Sequence, residues 1–358
     1  MRDHIRVEPQ GRQSTAAPAR PTRGSRPGVE PRTCPRIVAI GGGTGLPAVL
    51  EGLAGALTRA YGEALPADAI TAVVTATDDG GSSGRLRREL GILPPGDVRN
   101  CLVALAGEPS LGRLLQHRLR GGGIDGHAIG NLLLAALTDL RGDFVAAVEE
   151  LSAILRVRGR VLPSTRENVQ LRAQFHDGAV VVGETAIVER RSRIRRLALE
   201  RPARPLPETI AAIVNADAIV VGPGSLYTSV LPNLLVDGIA STLSGVNAVR
   251  IYVANLMTEP GETDGYTLDD HLRAIAEHTG YQLFDYVVFN RQPIEEGVAA
   301  RYARAHSVPV RLGTPLWRGH AVLVESDLVA ETRNGKIRHE PDSLARVLLA
   351  LVRQGRPS

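Results

Sequence analysis

Four segments of this chain concentrate glycine, serine and aspartate where an apolar run ends or a helical pattern begins. The first is Ile37-Val38-Ala39-Ile40 running into Gly41-Gly42-Gly43-Thr44-Gly45. The others are Thr77-Asp78-Asp79-Gly80-Gly81-Ser82-Ser83-Gly84, Gly126-His127-Ala128-Ile129-Gly130-Asn131 and Val221-Gly222-Pro223-Gly224-Ser225. A parallel α/β sheet places its ligand crevice at such strand ends, and glycine there lets the backbone close on phosphate oxygens. One such loop is an ordinary tight turn. Four together point to a nucleotide or another phosphorylated ligand.

The spacing between these loops supports the same architecture. Strand-like runs at 36–40, 70–77, 218–221, 250–254 and 286–289 alternate with helical patterns at 46–61, 97–105, 207–215, 226–235 and 268–278. Pro47 suits a first helical turn, where a missing N–H costs nothing. Apolar strands alternating with helices predict a Rossmann-like parallel sheet with helices on both faces. One stretch breaks the rhythm. Val169–Phe175 and Ala179–Val182 flank His176-Asp177-Gly178, a hairpin signal, and Arg193–Leu199 adds a third strand. A small β insertion is therefore expected at about 157–202, inside one α/β domain spanning 36–355.

Composition narrows the chemistry. Residues 1–36 carry eight Arg against Asp3, Glu8 and Glu30, more positive charge than the net +4 of the whole chain. The body is thus close to neutral, and a disordered basic tail is expected over 1–35. A neutral body with 3% aromatic residues lacks both the basic patch and the stacking platforms of nucleic-acid binders. The tail has no continuous apolar run of a signal peptide, and no later stretch has the length of a membrane span. A cytoplasmic protein with no nucleic-acid or membrane partner is expected. Cys34 and Cys101 are the two cysteines, too few for a disulfide framework or a CxxC zinc site. Lys336 is the sole lysine, and no GxxxxGK[ST] string exists, which excludes a Walker-type phosphate loop.

Individual residues suggest roles. Gly43-Thr44-Gly45-Leu46-Pro47-Ala48 fits the GxGxx(G/A) dinucleotide spacing, yet the acid expected about 20 residues on is missing. Asp78 still ends a strand and can meet a ribose hydroxyl. Asp78 and Asp79 can ligate Mg²⁺ beside phosphates; alternatively one caps the following turn while the other faces water. Ser82 and Ser83 offer hydroxyl donors. Asp97 reads as a helix N-cap. Arg99, next to Asn100, can take a phosphate or pair with Asp97. His127 serves either as an acid–base group or as a partner for a carbonyl, with Asn131 beside it. Gly222-Pro223-Gly224-Ser225 departs from the GxSxG nucleophile elbow, because Tyr227 stands where glycine is required. Ser225 reads instead as a helix cap with phosphate-gripping N–H groups nearby.

Taken together these segments resemble the gluconeogenesis factor (YvcK-type) family, a branch of the CofD-like phospholactate transferase superfamily. The resemblance rests on Gly41 to Leu46, Asp78 to Arg87, Pro94 to Asn100, Gly126-His127 with Gly130 to Leu134, Gly222 to Ser229, and Pro232 to Leu235. It implies a Rossmann-like fold and a cytoplasmic factor needed for normal cell shape on gluconeogenic carbon sources. It also implies binding of a UDP-sugar such as UDP-N-acetylglucosamine, with no cofactor required. A homo-oligomer and cell-wall synthesis proteins are the expected partners. The transferase branch implies the alternative: moving a phospholactyl group from a nucleoside diphosphate carrier to a deazaflavin alcohol, with Mg²⁺ on the Asp pair. The segment Gly80 to Pro95 is of the factor type, and Pro47 departs from the small polar residue usual after Gly-Leu. An NAD-linked enzyme and a scaffold are the remaining readings.

Overall fold

A computed structural model describes residues 33–315, 319–332 and 335–357. The expected basic tail lies outside them except for residues 33–35. Seven parallel strands form the central sheet: β1 (Ile37–Gly41), β2 (Ile70–Val74), β3 (Arg160–Pro163), β7 (Ala218–Val221), β8 (Val249–Val253), β9 (Tyr286–Asn290) and β10 (Val322–Ser326). Their spatial order is β3-β2-β1-β7-β8-β9-β10. The chain therefore winds outward from β1 to one edge, returns to pair β7 with β1, and winds outward to the other edge. The point of reversal lies between β1 and β7.

Both faces of the sheet are buried, which explains why its strands are apolar without alternation. Ile37 and Ala39 of β1 join one core with helix α1 (Gly45–Tyr61) and the C-terminal helix Pro341–Gln354. Val38 and Ile40 join the other. On the first face, α2 (Gly81–Leu90), α3 (Pro95–Leu105), α4 (Pro109–Gln116), α5 (Ile129–Arg141) and α6 (Phe144–Ile154) fill the long crossover from β2 to β3.

The inserted region is a three-stranded antiparallel sheet of β4 (Leu171–Phe175), β5 (Val180–Val182) and β6 (Ile194–Leu199), with β4 in the centre. It differs from the expected 157–202 at its start, because Arg160–Pro163 pairs with β2 as an edge strand of the parallel sheet. That strand's short apolar run reads equally well in either sheet, and only its long-range partner distinguishes them. The insertion also holds a helix the periodicity did not reveal, α7 (Glu184–Glu189). Leu171, Ala173, Phe175 and Leu197 pack into the core that contains Val38 and Ile40, so the insertion roofs that face. Near the C-terminus, β11 (Val329–Glu331) and β12 (Ile337–His339) form an antiparallel pair. Among the described residues no helix is long and apolar enough to cross a membrane.

Candidate functional site

A cleft of about 470 Å³ opens at the carboxyl ends of β1, β7 and β8. This is where a doubly wound sheet presents ligands. Gly43, Thr44 and Gly45 form one wall, Pro223 to Ser225 a second, and Asn255 to Glu262 a third, while Tyr302, Arg338 and His339 close the far side. Gly43 has φ +62°, the left-handed conformation that turns the chain from β1 into α1. Gly45 is required for a different reason: a Cβ there would lie 2.4 Å from the Pro223 carbonyl oxygen. The two loops thus touch backbone to backbone. Asn255 holds that contact by accepting from the Gly224 N–H at 3.0 Å and donating to the Gly224 carbonyl at 2.9 Å. The N-terminal turn of α1 faces the cleft with no side-chain cap on Thr44. Its unpaired N–H groups and helix dipole favour an anion.

The loop after β7 behaves differently from expectation. The helix from Leu226 begins as a π-helical turn (Leu226–Val230), and Ser225 makes no capping bond. Its hydroxyl donates to Glu259 instead. The Tyr227 N–H donates to the Glu262 carboxylate, as does the Thr228 hydroxyl. The donors predicted to grip a phosphate are therefore already filled by this chain's own carboxylate. Burial raises the pKa of both Glu259 and Glu262, and for Glu262 the neighbouring Glu259 adds to it.

On the other side of the Gly43 loop lies a second polar cluster. Asp97 sits inside the first turn of α3 and does not cap that helix, whose N-cap is Pro94. Its carboxylate reaches across to accept from the Gly43 N–H at 2.7 Å. Asn100, one turn later, donates to the Gly43 carbonyl at 3.4 Å. Gly42 packs so tightly that an added Cβ would meet Asp97 and Thr75 within 3 Å, and the Gly41 carbonyl accepts from Asn233. Gly41 and Gly42 serve this packing. Burial lifts the Asp97 pKa to about 6, with Asp78 contributing, while the Gly43 bond and Arg99 oppose the shift.

Arg99 does not ion-pair with Asp97; it donates to the amide oxygens of Asn131 (2.7 Å) and Asn100 (2.8 Å). Burial lowers its pKa to about 10, which still leaves it charged at neutral pH. Ser82 binds His127 Nδ1 at 2.9 Å and accepts from Asn131 at 2.9 Å. His127 thus meets a hydroxyl, where a carbonyl was the alternative to acid–base work, and burial with Arg85 lowers its pKa. Ser83 accepts from the Gly96 N–H at 3.1 Å. Asp78 accepts from the Gly80 N–H at 2.9 Å, and burial raises its pKa despite that bond and one from Ser83.

Of the two acids Asp78 takes the turn-capping role through Gly80, while Asp79, though partly exposed, is held by the chain itself. Both its oxygens are committed to the N-terminus of α7: Oδ2 accepts from the Glu184 N–H at 2.8 Å, and Oδ1 from the Thr185 N–H at 2.9 Å and hydroxyl at 2.7 Å. This latches the β insertion to the loop after β2. A Mg²⁺ ion shared by Asp78 and Asp79 does not fit this arrangement, and among the described residues no three His, Cys, Asp or Glu side chains are grouped for a metal.

The structure thus brings Gly43, Thr44, Gly45, Pro223, Gly224 and Ser225 onto one cleft, and gathers Asp78, Ser82, Ser83, Asp97, Arg99, Asn100, His127 and Asn131 behind its β1 wall. Asn255, Glu259, Glu262, Tyr302, Arg338 and His339 were not anticipated. The segment Thr258-Glu259-Pro260-Gly261-Glu262-Thr263, a Pro-Gly turn bearing two acids after an apolar strand, carried a usable signal. Tyr302, Arg338 and His339 carried none.

Comparison with known proteins supports the fold and shows the family. The family model described as 2-phospho-L-lactate transferase CofD matches residues 37–328. A protein of Halalkalibacterium halodurans named gluconeogenesis factor is 44% identical over 90% of this chain and 96% of its own length. The Bacillus subtilis protein of the same name is 44% identical over 89% of this chain and 99% of its own. A crystal structure of a UPF0052-family protein from Bacillus halodurans superposes with a TM-score of 0.81 at 44% identity, covering 87% of this chain and 99% of that one.

Proposed function

The chain belongs to the CofD family, in the branch of the gluconeogenesis factors, and from that premise we propose that it binds a nucleotide sugar of the UDP-sugar type. The observation that carries this reading is the cleft of about 470 Å³ at the strand-order reversal, with the N-terminus of α1 opening into it. A diphosphate fits over the α1 N-terminus, where N–H groups and the helix dipole stabilise negative charge. Arg338 is the nearby cation; its ion-pair partner Glu51 is 3.9 Å away and both side chains are about half exposed, so little holds it back from an anion. The opposite wall carries the acids Glu259 and Glu262, which bring no cation to a phosphate and whose oxygens suit the hydroxyl or N–H groups of a sugar or base. The ligand therefore enters with its phosphates towards α1 and its sugar or base towards the β8 loop.

On this reading the protein acts in the cytoplasm as a regulator of cell-wall precursor supply and cell shape, in contact with cell-wall synthesis proteins and as a homo-oligomer. Calorimetric titration with UDP-N-acetylglucosamine, GDP and NAD, each with Mg²⁺ or EDTA, tests the ligand. UDP-sugar binding that persists in EDTA is the expected result; no binding of any UDP-sugar overturns the reading.

A second reading, a phospholactyl transferase, draws on the acids Asp78, Asp97 and Glu184 behind the Gly43 loop: burial raises the pKa of each, and Asp78 adds to the shift of the other two. Binding of GDP that requires Mg²⁺, with release of GMP when the phospholactyl group leaves a guanosine diphosphate carrier, would favour it.

A further inference from the structure

The inserted sheet has two edges, and the fold treats them differently. At the β6 edge the outward Leu197 N–H donates to His278 Nε2 at 2.9 Å, on the helix Leu268–Thr279. At the β5 edge two bonds fix the register. The Gly183 N–H donates to the Leu171 carbonyl at 2.8 Å, and the Phe175 N–H to the Ala179 carbonyl at 2.9 Å. Bonded and non-bonded pairs alternate along an antiparallel ladder. Ala173 and Val181 therefore bond each other, while Val180 and Val182, opposite Gln174 and Arg172, do not bond their partners. Both valines turn their N–H and C=O groups away from β4. Among the described residues those groups have no hydrogen-bond partner, and the two residues are 47% and 40% exposed.

Folds ordinarily protect such an edge with a charge, a proline or a bulge on the edge strand itself. β5 reads Val180-Val181-Val182 and, its brevity apart, has none of these. The charge lies on the strands behind it. Leu171, Ala173 and Phe175 face the core, so Arg172 and Gln174 face outward. On that outer face Arg172 neighbours Val182, and Gln174 lies between Val180 and Arg196. Neither arginine has an ion-pair partner among the described residues, and no acid occupies a paired position on this face. A strand laid along β5 would lie about 10 Å from β4, two strand spacings away. The long side chains of an arginine and a glutamate span that distance together.

We propose that the β5 edge docks an extended acidic segment of a partner protein, which adds a fourth strand to the inserted sheet and sets its carboxylates against Arg172. The backbone groups of Val180 and Val182 supply the pairing, and the guanidinium fork selects carboxylates. An anionic lipid surface or a nucleic acid offers negative charge but no strand to continue the ladder. A second copy of this chain would bring another Arg172–Arg196 face alongside the first, like charge beside like. No residue of β4, β5 or β6 lines the cleft, so docking here does not depend on what the cleft binds.

Fluorescence anisotropy on the full chain tests this with a short labelled peptide of alternating Glu and Val. Saturable binding is expected, and Arg172→Glu should weaken it about tenfold or more, the size of a lost charge-assisted hydrogen bond. The same peptide N-methylated on alternate amides should lose as much, because it cannot pair along the edge. Val182→Pro removes an outward N–H and leaves the β4 ladder intact; it should also weaken binding. Hydrogen exchange at the Val180 and Val182 amides should slow when the peptide is bound. Absence of saturable binding, unchanged affinity in Arg172→Glu, or equal binding of the N-methylated peptide each overturns the proposal. So does tighter binding to phosphatidylglycerol vesicles or to a single-stranded oligonucleotide than to the peptide. A dimer in sedimentation that protects the same two amides without peptide makes the occupant a second copy and overturns it too. If Val182→Pro does not fold, the N-methylated peptide and the exchange rates decide alone.

Discussion

The two sides of the Gly43 loop look alike in composition and differ in how their polar groups are satisfied. Behind the loop, Asp97 and Asn100 clamp the Gly43 peptide, Ser82 joins His127 to Asn131, and Asp79 latches α7. Most polar side chains there are partnered within the chain, with Arg99 Nε and Glu184 Oε2 as buried exceptions, so the cluster chiefly shapes the cleft from behind. In front of the loop, the first turn of α1 is uncapped and Arg338 has a distant partner. Polar groups that a fold leaves unpaired are the ones a ligand can pair with. The difference locates the ligand better than the density of motifs, which is greatest in the satisfied cluster.

The strongest challenge to this division is at Gly45, where packing and ligand contact coincide. Gly45→Ala drives a Cβ into the Pro223 backbone, and about 3 kcal/mol of stability should be lost, the range of overpacking that backbone must absorb. Denaturant unfolding measures it. A stable Gly45→Ala protein would show that the two loops are not held together as described.

Asp97 comes next, and its effect depends on pH. Its pKa is raised from the ordinary carboxylate range to about 6 in the folded chain. Between pH 4 and 6 the native state therefore binds more protons than the unfolded state, and stability falls as pH rises through that window. Solvent reaches part of the carboxylate, so the change should be about 1–2 kcal/mol. Asp97→Asn should reduce that slope, leaving the part set by Asp78 and the other acids whose pKa burial raises. Melting curves across the window check it, and an unaltered slope would mean that other groups set it.

Asp79→Ala should cost about 1–2 kcal/mol, the worth of a helix N-cap, and leave nucleotide-sugar affinity unchanged. A loss of affinity without a loss of stability would move Asp79 from the latch to the ligand. The smallest effect belongs to Arg338→Ala, which should leave stability within about 0.5 kcal/mol and weaken nucleotide-sugar binding by about 1 kcal/mol, more at low salt than at high. Salt-independent binding would place the phosphates elsewhere.

Much of this molecule was legible in its residues. The strand–glycine loop–helix rhythm identified the parallel sheet, and His176-Asp177-Gly178 marked the hairpin between β4 and β5. The Gly41 to Gly45 and Gly222 to Ser225 loops were read as ligand loops, and both lie at the cleft, though Gly41 and Gly42 turn to packing. Roles of side chains were harder. Asp97 reads as a cap for its own helix because a cap is the local use of an aspartate before a helical pattern; its actual partner, Gly43, is 54 residues away. The partner of Asp79 at Thr185 is 106 residues away, in a helix that six residues inside a β region do not announce.

Fold class, loop chemistry and family follow from the sequence because periodicity and glycine's backbone freedom are properties of a few neighbouring residues. Strand order, the membership of β3 in the main sheet and the filling of the Tyr227 and Thr228 donors by Glu262 were decided only by the tertiary structure. So was the placement of Arg338 and His339 beside a loop almost three hundred residues earlier in the chain. Hydrogen-bond satisfaction is settled between distant segments, and a residue's type says what it can bond but not what the fold has already given it.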